Sequence, residues 1–305
     1  MIQIRPAFAA REFNGPRAVP SFPPARKGCV VDQRWSGVRP TLFVGGQRFP
    51  EGPSFDLDGN LFVCNRRDGF IAKVAPDGRF ARFVATNGKP NGTKFHRDGR
   101  LFIADMTRRK ILAADPSGAL TVAVDAFEGS PLLGPNDLIF DRNGDLYFTD
   151  PGGGAASSPG RVFRWGRDGL RLLTSGQLYP NGLALNDAED ALYVAETGSN
   201  RVSSFPIRRD RSLGPGRVLF QFTDGYGPDG MALGADGNLY VTHRDTGVVA
   251  VVDPEGRLVA RLPAGGPLPS NVAFWNESLY VTEDETGAVH RLDIGVRGQT
   301  LFHQR

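Results

Sequence analysis

Six polar residues recur along this chain in the same short pattern, at intervals of 40 to 48 residues. They are Glu51, Asn91, Asn136, Asn181, Asp229 and Asn271. A carboxylate that lies at the centre of a fold has to be paired or metal-bound. Glu51 and Asp229, together with the amide oxygens of Asn136 and Asn181, form a donor set that suits a hard divalent cation. The pattern therefore indicates a metal site, and four protein ligands would leave positions open for water and substrate.

Turn chemistry is the alternative explanation, because Asn-Gly and Asp-Gly are common in turns. The tripeptide Pro76-Asp77-Gly78 lies between two predicted strands and is such a turn. Pro228-Asp229-Gly230 is the same tripeptide, but it comes before the first strand of a repeat. Glu51 has no turn preference, so the phase and the residue type together favour a site over turns.

The elements that position these residues are short strands rather than helices. About eight residues after each polar residue comes a turn, followed by an apolar run such as Leu-Tyr-Val-Thr, and such runs favour β structure. Strand repeats with a period of 40 to 48 residues are typical of β-propellers. We predict an all-β, six-bladed β-propeller with four-stranded blades over residues 39–305.

The ends of the chain have separate roles in this prediction. Residues 1–38 are rich in Pro and Arg without periodicity and are expected to form an extended N-terminal arm. A strand within residues 40–48 should complete the last blade and so close the ring.

A second set of polar residues follows the first by 12 to 15 positions, where each returning strand ends. It comprises Asn65, Asp105, Asp150, Glu196, His243 and Glu283. Antiparallel pairing should bring this set to the same rim as the first. Ordinary ion pairs with nearby arginines explain much of it, and a lone His at a strand end is more often a hydrogen-bonding residue than a base.

The composition narrows the partners of the protein. A net charge of +3 is too small to indicate a nucleic-acid partner. No apolar run is long enough for a membrane span, and the N-terminus lacks the apolar segment of a secretory signal. The two cysteines, Cys29 and Cys64, predict free thiols. We expect a cytoplasmic protein that acts on a small molecule, without a nucleic-acid or membrane partner.

Several motifs resemble those of the gluconolactonase, senescence-marker-protein and luciferin-regenerating-enzyme family of six-bladed propellers. The resemblance spans about residues 41–298 and rests on Glu-Gly-Pro at 51–53, Pro-Asn-Asp at 135–137, Pro-Asn-Gly at 180–182 and Pro-Asp-Gly at 228–230. Asn-Val-Ala-Phe at 271–274 is similar to the closing segment of the family.

By this resemblance Glu51, Asn136, Asn181 and Asp229 are the metal ligands, and the reaction is lactone hydrolysis. The metal would be Ca²⁺, with Mg²⁺, Mn²⁺ or Zn²⁺ as alternatives. Polarisation of the carbonyl by the metal would assist attack by water. Asp229 would accept the proton, with Glu51 as the second catalytic carboxylate. The predicted substrate contacts are Asn91, Asp150 and His243.

One departure concerns the substrate. Where animal members carry a sugar-contacting arginine, this chain has Gly134, preceded by Leu132 and Leu133. This favours a less hydroxylated or aromatic lactone over a sugar lactone. Phosphotriester or fluorophosphate hydrolysis on the same site, and a non-enzymatic ligand-binding propeller, remain alternatives.

Overall fold

The computed structural model describes residues 33–152 and 159–305. Its regular elements are almost all strands, with short 3₁₀ turns at Gln33–Trp35, Thr197–Ser199 and Phe302–Gln304. The strands of the first half are β1 (Thr41–Val44), β2 (Pro50–Phe55), β3 (Leu61–Asn65), β4 (Phe70–Val74), β5 (Phe80–Ala85), β6 (Pro90–Phe95), β7 (Leu101–Asp105), β8 (Lys110–Ala114), β9 (Leu120–Val124), β10 (Ala126–Phe127), β11 (Ser130–Pro131), β12 (Leu138–Phe140) and β13 (Leu146–Asp150).

The second half continues the same alternation of strands and turns. Its strands are β14 (Pro159–Gly166), β15 (Gly169–Leu178), β16 (Pro180–Leu185), β17 (Ala191–Glu196), β18 (Arg201–Pro206), β19 (Arg217–Gln221), β20 (Gly227–Leu233), β21 (Leu239–Arg244), β22 (Val248–Val252), β23 (Leu258–Pro263), β24 (Pro269–Trp275), β25 (Ser278–Glu283) and β26 (Ala288–Asp293).

These strands form six four-stranded antiparallel sheets, the blades of a propeller. Five blades use consecutive strands, β2–β5, β6–β9, β12–β15, β16–β19 and β20–β23. The sixth has the order β1-β26-β25-β24, so the N-terminal strand completes the last blade. The predicted fold and the predicted ring closure are both confirmed. The hairpin β10–β11, which lies between the second and third blades, was not predicted.

The core of the molecule lies between neighbouring blades. Each blade faces the next with buried Leu, Val, Ile, Phe and Ala side chains, as in the cluster around Val241 and Val252 from blade 5 and Tyr193 and Ala195 from blade 4. In the first blade the two inner strands β2 and β3 are fully buried, whereas half of the residues of the outermost strand β5 are exposed. The rigid inner strands are therefore the elements that can hold a site at the channel.

The segment before β1 also contacts the propeller. Trp35 is buried, its Nε1 donates a hydrogen bond to the carbonyl of Ile294 at 3.0 Å, and its ring packs edge-on against Tyr240. Most of the predicted N-terminal arm, with Cys29, lies outside the described residues, so the boundary at residue 38 stays a prediction. Cys64 is buried and free. In the described part of the chain no helix is long and apolar enough to cross a membrane, and the cytoplasmic location stays a prediction.

Candidate functional site

The four predicted metal ligands lie at the same end of the central channel. Glu51 and Asn181 are the second residues of β2 and β16, Asp229 is the third residue of β20, and Asn136 comes two residues before β12. All four are buried, with 4–5% of each residue exposed. Three innermost strands and the segment that leads into a fourth therefore carry oxygen donors at equivalent positions.

Glycines next to the donors allow the inner strands to approach closely. A Cβ atom on Gly52 would lie 2.0 Å from the carbonyl oxygen of Asn91, and one on Gly182 would lie 2.5 Å from that of Asp229. Gly52 also has a φ of +47°, a conformation that side chains rarely adopt. Glycine follows Glu51, Asn181 and Asp229, whereas Asp137 follows Asn136, so close packing of the inner strands requires a glycine after three of the four donors.

Hydrogen bonds fix the orientation of the Asn181 amide. Its Nδ2 donates to Thr197 Oγ1 at 3.1 Å, and this hydroxyl donates to the carbonyl of Pro228 at 2.6 Å. The amide nitrogen is therefore occupied by the channel wall, which leaves Oδ1 available to bind a cation.

Burial and mutual repulsion act on the carboxylates of the site. The pKa of Glu51 is raised well above its ordinary value, first by burial and then by the negative charges of Asp229 and Asp284. Burial also raises the pKa of Asp229, while the Arg244 guanidinium opposes this rise. The only hydrogen bond that the Glu51 carboxylate accepts among the described residues comes from the Gly52 amide, at 3.3 Å. A buried, poorly paired carboxylate of this kind is what a cation would stabilise.

Arg244 lies between two carboxylates. Its Nη1 is 3.0 Å from Asp229 Oδ2 and 2.6 Å from Asp284 Oδ2. The two carboxylates raise the pKa of Arg244, so it stays charged despite its burial. The pKa of Asp284 is raised to about 7, chiefly by burial. The ion pair with Arg244 fixes the orientation of the Asp229 carboxylate through its Oδ2 atom.

Aromatic residues and a second arginine surround the donors. Phe49 and Tyr179 each precede the proline before a donor, and both have left-handed backbone conformations with φ of 58° and 51°. Bulky residues rarely adopt this conformation, and such outliers cluster at functional sites. The guanidinium carbon of Arg66 lies 4.9 Å from the centre of the Phe49 ring, and that of Arg244 lies 5.8 Å from it. Burial raises the pKa of the Tyr179 hydroxyl, and the negative charges of Asp229 and Glu51 add to this rise.

The second predicted set of polar residues has a different position. Asp150 is fully buried and accepts hydrogen bonds from the amides of Leu133 and Gly134 at 3.0 and 2.6 Å, and it pairs with Arg161 at 2.6 Å. His243 is fully buried, with its ring stacked on Phe222. Both side chains hold loops and blade contacts together, and the structure does not bring them to the four donors. Their role in substrate binding stays a prediction without geometric support.

The residues that follow this second set reach the site instead. Arg66 follows Asn65, Arg244 follows His243, and Asp284 follows Glu283. The sequence analysis attributed the arginines near this set, which include Arg66 and Arg244, to ordinary ion pairs and did not include Asp284. The alternation of side chains along a strand could have identified them, because neighbouring residues face opposite sides.

The register of the sixth blade corrects one further prediction. Pro228 pairs with His243 and Pro269 pairs with Glu283, so the residue equivalent to Asp229 is Ser270. The prediction that Asn271 shares the phase of the other donors is wrong. Asn271 lies one residue deeper, against Gly230, and its Nδ2 is 3.4 Å from Asp137 Oδ2. By contrast, Asn91 directly follows Pro90, which pairs with Asp105, so it has the predicted position and is buried in β6.

A metal site here has to use amide oxygens. Within residues 33–152 and 159–305 no group of three or more His, Cys, Asp and Glu side chains could hold a metal. The poorly paired Glu51 carboxylate and the free Asn181 Oδ1 nevertheless fit a hard cation. The Asp229 carboxylate accepts hydrogen bonds from Arg244 and from Asn181, which places it beside the other donors. The residues that are present therefore fit a divalent ion.

A separate cavity of about 390 Å³ lies at the opposite end of the inner strands. It is lined by the last residues of β2, β20 and β24 and by the C-terminal segment 297–304. None of the four donors lines it, so this cavity does not belong to the candidate site.

The fold and the donors define a six-bladed propeller with buried oxygen ligands at one end of its channel. The family model described as "SMP-30/Gluconolactonase/LRE-like region" matches residues 49–284. The chain belongs to this family, as its motifs suggested.

Relatives support the assignment. The chain is 29% identical to a gluconolactonase of Zymomonas mobilis over 84% of its own length and 75% of that protein. It is 28% identical to the diisopropyl-fluorophosphatase of Loligo vulgaris over 83% and 91% of the two chains. A solved gluconolactonase from Xanthomonas campestris superposes with a TM-score of 0.75 at 27% identity, over 84% of this chain and 89% of that one.

Proposed function

We propose that the protein is a divalent-metal-dependent hydrolase that opens small lactones. The observation that carries this proposal is the convergence of four buried oxygen donors, with Glu51 poorly paired, on one end of the channel. Gluconolactonases from Zymomonas mobilis and Xanthomonas campestris among the similar proteins support the class of reaction.

Glu51, Asn136, Asn181 and Asp229 would hold the metal ion, for which Ca²⁺ is the first candidate. When bound, the ion would supply a Lewis acid for the carbonyl group of the lactone. Arg244 engages Asp229 Oδ2 at 3.0 Å, which leaves Oδ1 to take a proton from the attacking water. The water oxygen adds to the carbonyl carbon, and the ring oxygen receives the proton from Asp229 when its bond to that carbon breaks.

The surroundings of the donors favour a substrate with few hydroxyl groups. Phe49 and Met106 contact the arginines of the site, Tyr179 lies near both carboxylates, and Leu133 is exposed beside Gly134. These groups offer mainly apolar surface to a ligand. Asn91, in the same phase as the donors, is the predicted contact for a polar substituent.

The test is base consumption at constant pH over a panel of lactones, with chelated protein and after each divalent ion is restored. We expect ring opening only with metal, and faster turnover of alkyl or aryl lactones than of gluconolactone. Hydrolysis of a fluorophosphate without any lactone turnover would instead favour the alternative suggested by the Loligo vulgaris relative. Bound metal without turnover of either class would contradict the proposal and favour a ligand-binding propeller.

A further inference from the structure

Arg66 differs from the other arginine of the site in its pairing. Its Nη2 lies 3.2 Å from the Met106 sulfur, and its buried Nε has no hydrogen-bond partner. Among the described residues it has no carboxylate oxygen within the 4.0 Å of an ion pair, whereas Arg244 contacts two. Arg66 is therefore a half-buried guanidinium with unused donors at the candidate site.

The surroundings of Arg66 hold its planar group in place. The guanidinium stacks over Phe49, and the backbone amide of Arg66 donates to the Phe49 carbonyl at 3.1 Å. The Met106 sulfur covers its Nη2. A guanidinium held in this way on apolar surface is suited to donate charge-assisted hydrogen bonds to a carboxylate.

The charges of the site favour an anionic ligand once a metal is bound. Glu51, Asp229 and Asp284 contribute three carboxylates, and Arg66 and Arg244 contribute two guanidinium groups. With one divalent ion and all three carboxylates ionised, the site would carry a single excess positive charge. A monoanion would neutralise this charge, whereas a phosphate dianion would overcompensate it.

We infer that Arg66 selects lactones that carry a carboxylate on a short apolar arm. This inference rests on the proposed lactonase function and names its substrate class. The lactone carbonyl would lie at the four donors, the apolar arm would contact Phe49 and Met106, and the carboxylate would accept hydrogen bonds from Arg66. Arg66 is then a specificity-determining residue.

The test compares a γ-butyrolactone with a carboxymethyl arm and its neutral twin, in which the carboxylate is a primary amide. For the wild-type protein we expect kcat/KM to favour the carboxylate by about tenfold or more, since charge-assisted hydrogen bonds are the stronger ones. Arg66→Gln should remove this preference, because kcat/KM for the carboxylate lactone should fall much more than kcat/KM for the amide. Arg66→Lys should keep part of it, because the charge remains without the planar fork.

Arg67→Gln is the matched control, because Arg67 is the next residue and its side chain is exposed. It should keep the full preference. Equal rates for the two lactones in the wild type, or a preference that survives in Arg66→Gln, would overturn the inference.

A binding measurement separates this inference from the proposed function. Calorimetry with cyclopentane acetate and cyclopentane acetamide, which cannot be hydrolysed at a ring ester, reports the anion site alone. Binding of the acetate that depends on Arg66, without turnover of any lactone, would sink the proposed function and keep the anion site. Turnover of neutral lactones with no acetate binding would keep the proposed function and overturn the inference about Arg66.

Discussion

At the scale of single residues, Asp229 is the side chain to which the proposed function gives the most roles. One of its oxygens lies 3.0 Å from Arg244, which also pairs with Asp284. The proposed mechanism asks its carboxylate both to bind a metal and to accept a proton. Arg244 donates to one oxygen, but each carboxylate oxygen has two lone pairs, so the two roles can be divided between the two oxygens. A buried carboxylate without such a partner would cost several kcal/mol.

His243 supports a prediction about stability. Burial lowers its pKa to about 4, from an ordinary value of 6.5. The unfolded chain therefore binds the proton first as the pH falls. The stability that comes from the neutral imidazole is complete above pH 6.5 and is lost as the pH falls from 6.5 towards 4. One pKa unit corresponds to about 1.4 kcal/mol, so protonation of this histidine accounts for at most about 3.5 kcal/mol of the stability that is lost over this pH range.

The measurement is the free energy of unfolding in denaturant at several pH values between 7.5 and 5. His243→Gln should give a shallower fall across this window than the wild type, whatever its stability at pH 7.5. If the free energy of unfolding fell equally with pH in the two proteins, the lowered pKa of His243 would be contradicted.

At the scale of elements, the N-terminal strand β1 connects the two ends of the propeller. It pairs with β26, and a register shift between Leu42 and Val44 changes the face to which the strand points its side chains. Val44 is buried with Phe55, Tyr280 and Val289, whereas 65% of Leu42 is exposed. The closure therefore depends on one face of a four-residue strand.

These two residues provide a matched test of ring closure. Val44→Asp buries an unpaired carboxylate in an apolar cluster and should lower the free energy of unfolding by about 3 kcal/mol or more. Leu42→Asp, in the same strand, should change it by about 0.5 kcal/mol or less. Thermal and denaturant unfolding give both values. Equal effects of the two substitutions would show that the strand does not pack as described.

Much of the element level could be predicted from the sequence, and the failures have a physical cause. The apolar runs and Gly turns predict the blades, and the residue that follows Pro50, Pro90 and Pro180 predicts the inner donors. In the last blade the same rule applies to Pro269 and gives Ser270, but the Asn residue type drew attention to Asn271. Register in a strand is set by pairing, and a shift of one residue moves a side chain to the other face.

At the scale of the whole molecule, the propeller explains why residues that are far apart in sequence act together. Antiparallel pairing predicted that both polar sets reach the same rim. It could not predict that Asp150 would accept a hydrogen bond from the Gly134 amide, or that His243 would stack on Phe222. Nor could it predict that the residues after this set would reach the site instead. Those contacts depend on side-chain partners from other blades, which a repeat pattern does not contain. Strand alternation could have drawn attention to the arginines and Asp284, but their contacts with the donors are visible only in the structure.

The central claim is that Glu51, Asn136, Asn181 and Asp229 form one metal site. The most direct measurement is a calorimetric titration of chelated protein with Ca²⁺, for the wild type, Asn136→Ala and Asn91→Ala. Both asparagines are buried in the same phase of inner segments, but only Asn136 belongs to the proposed ligand set. We predict one ion per chain, affinity weakened by about tenfold or more in Asn136→Ala, and little change in Asn91→Ala. No binding in the wild type, or equal losses in the two variants, would contradict the account.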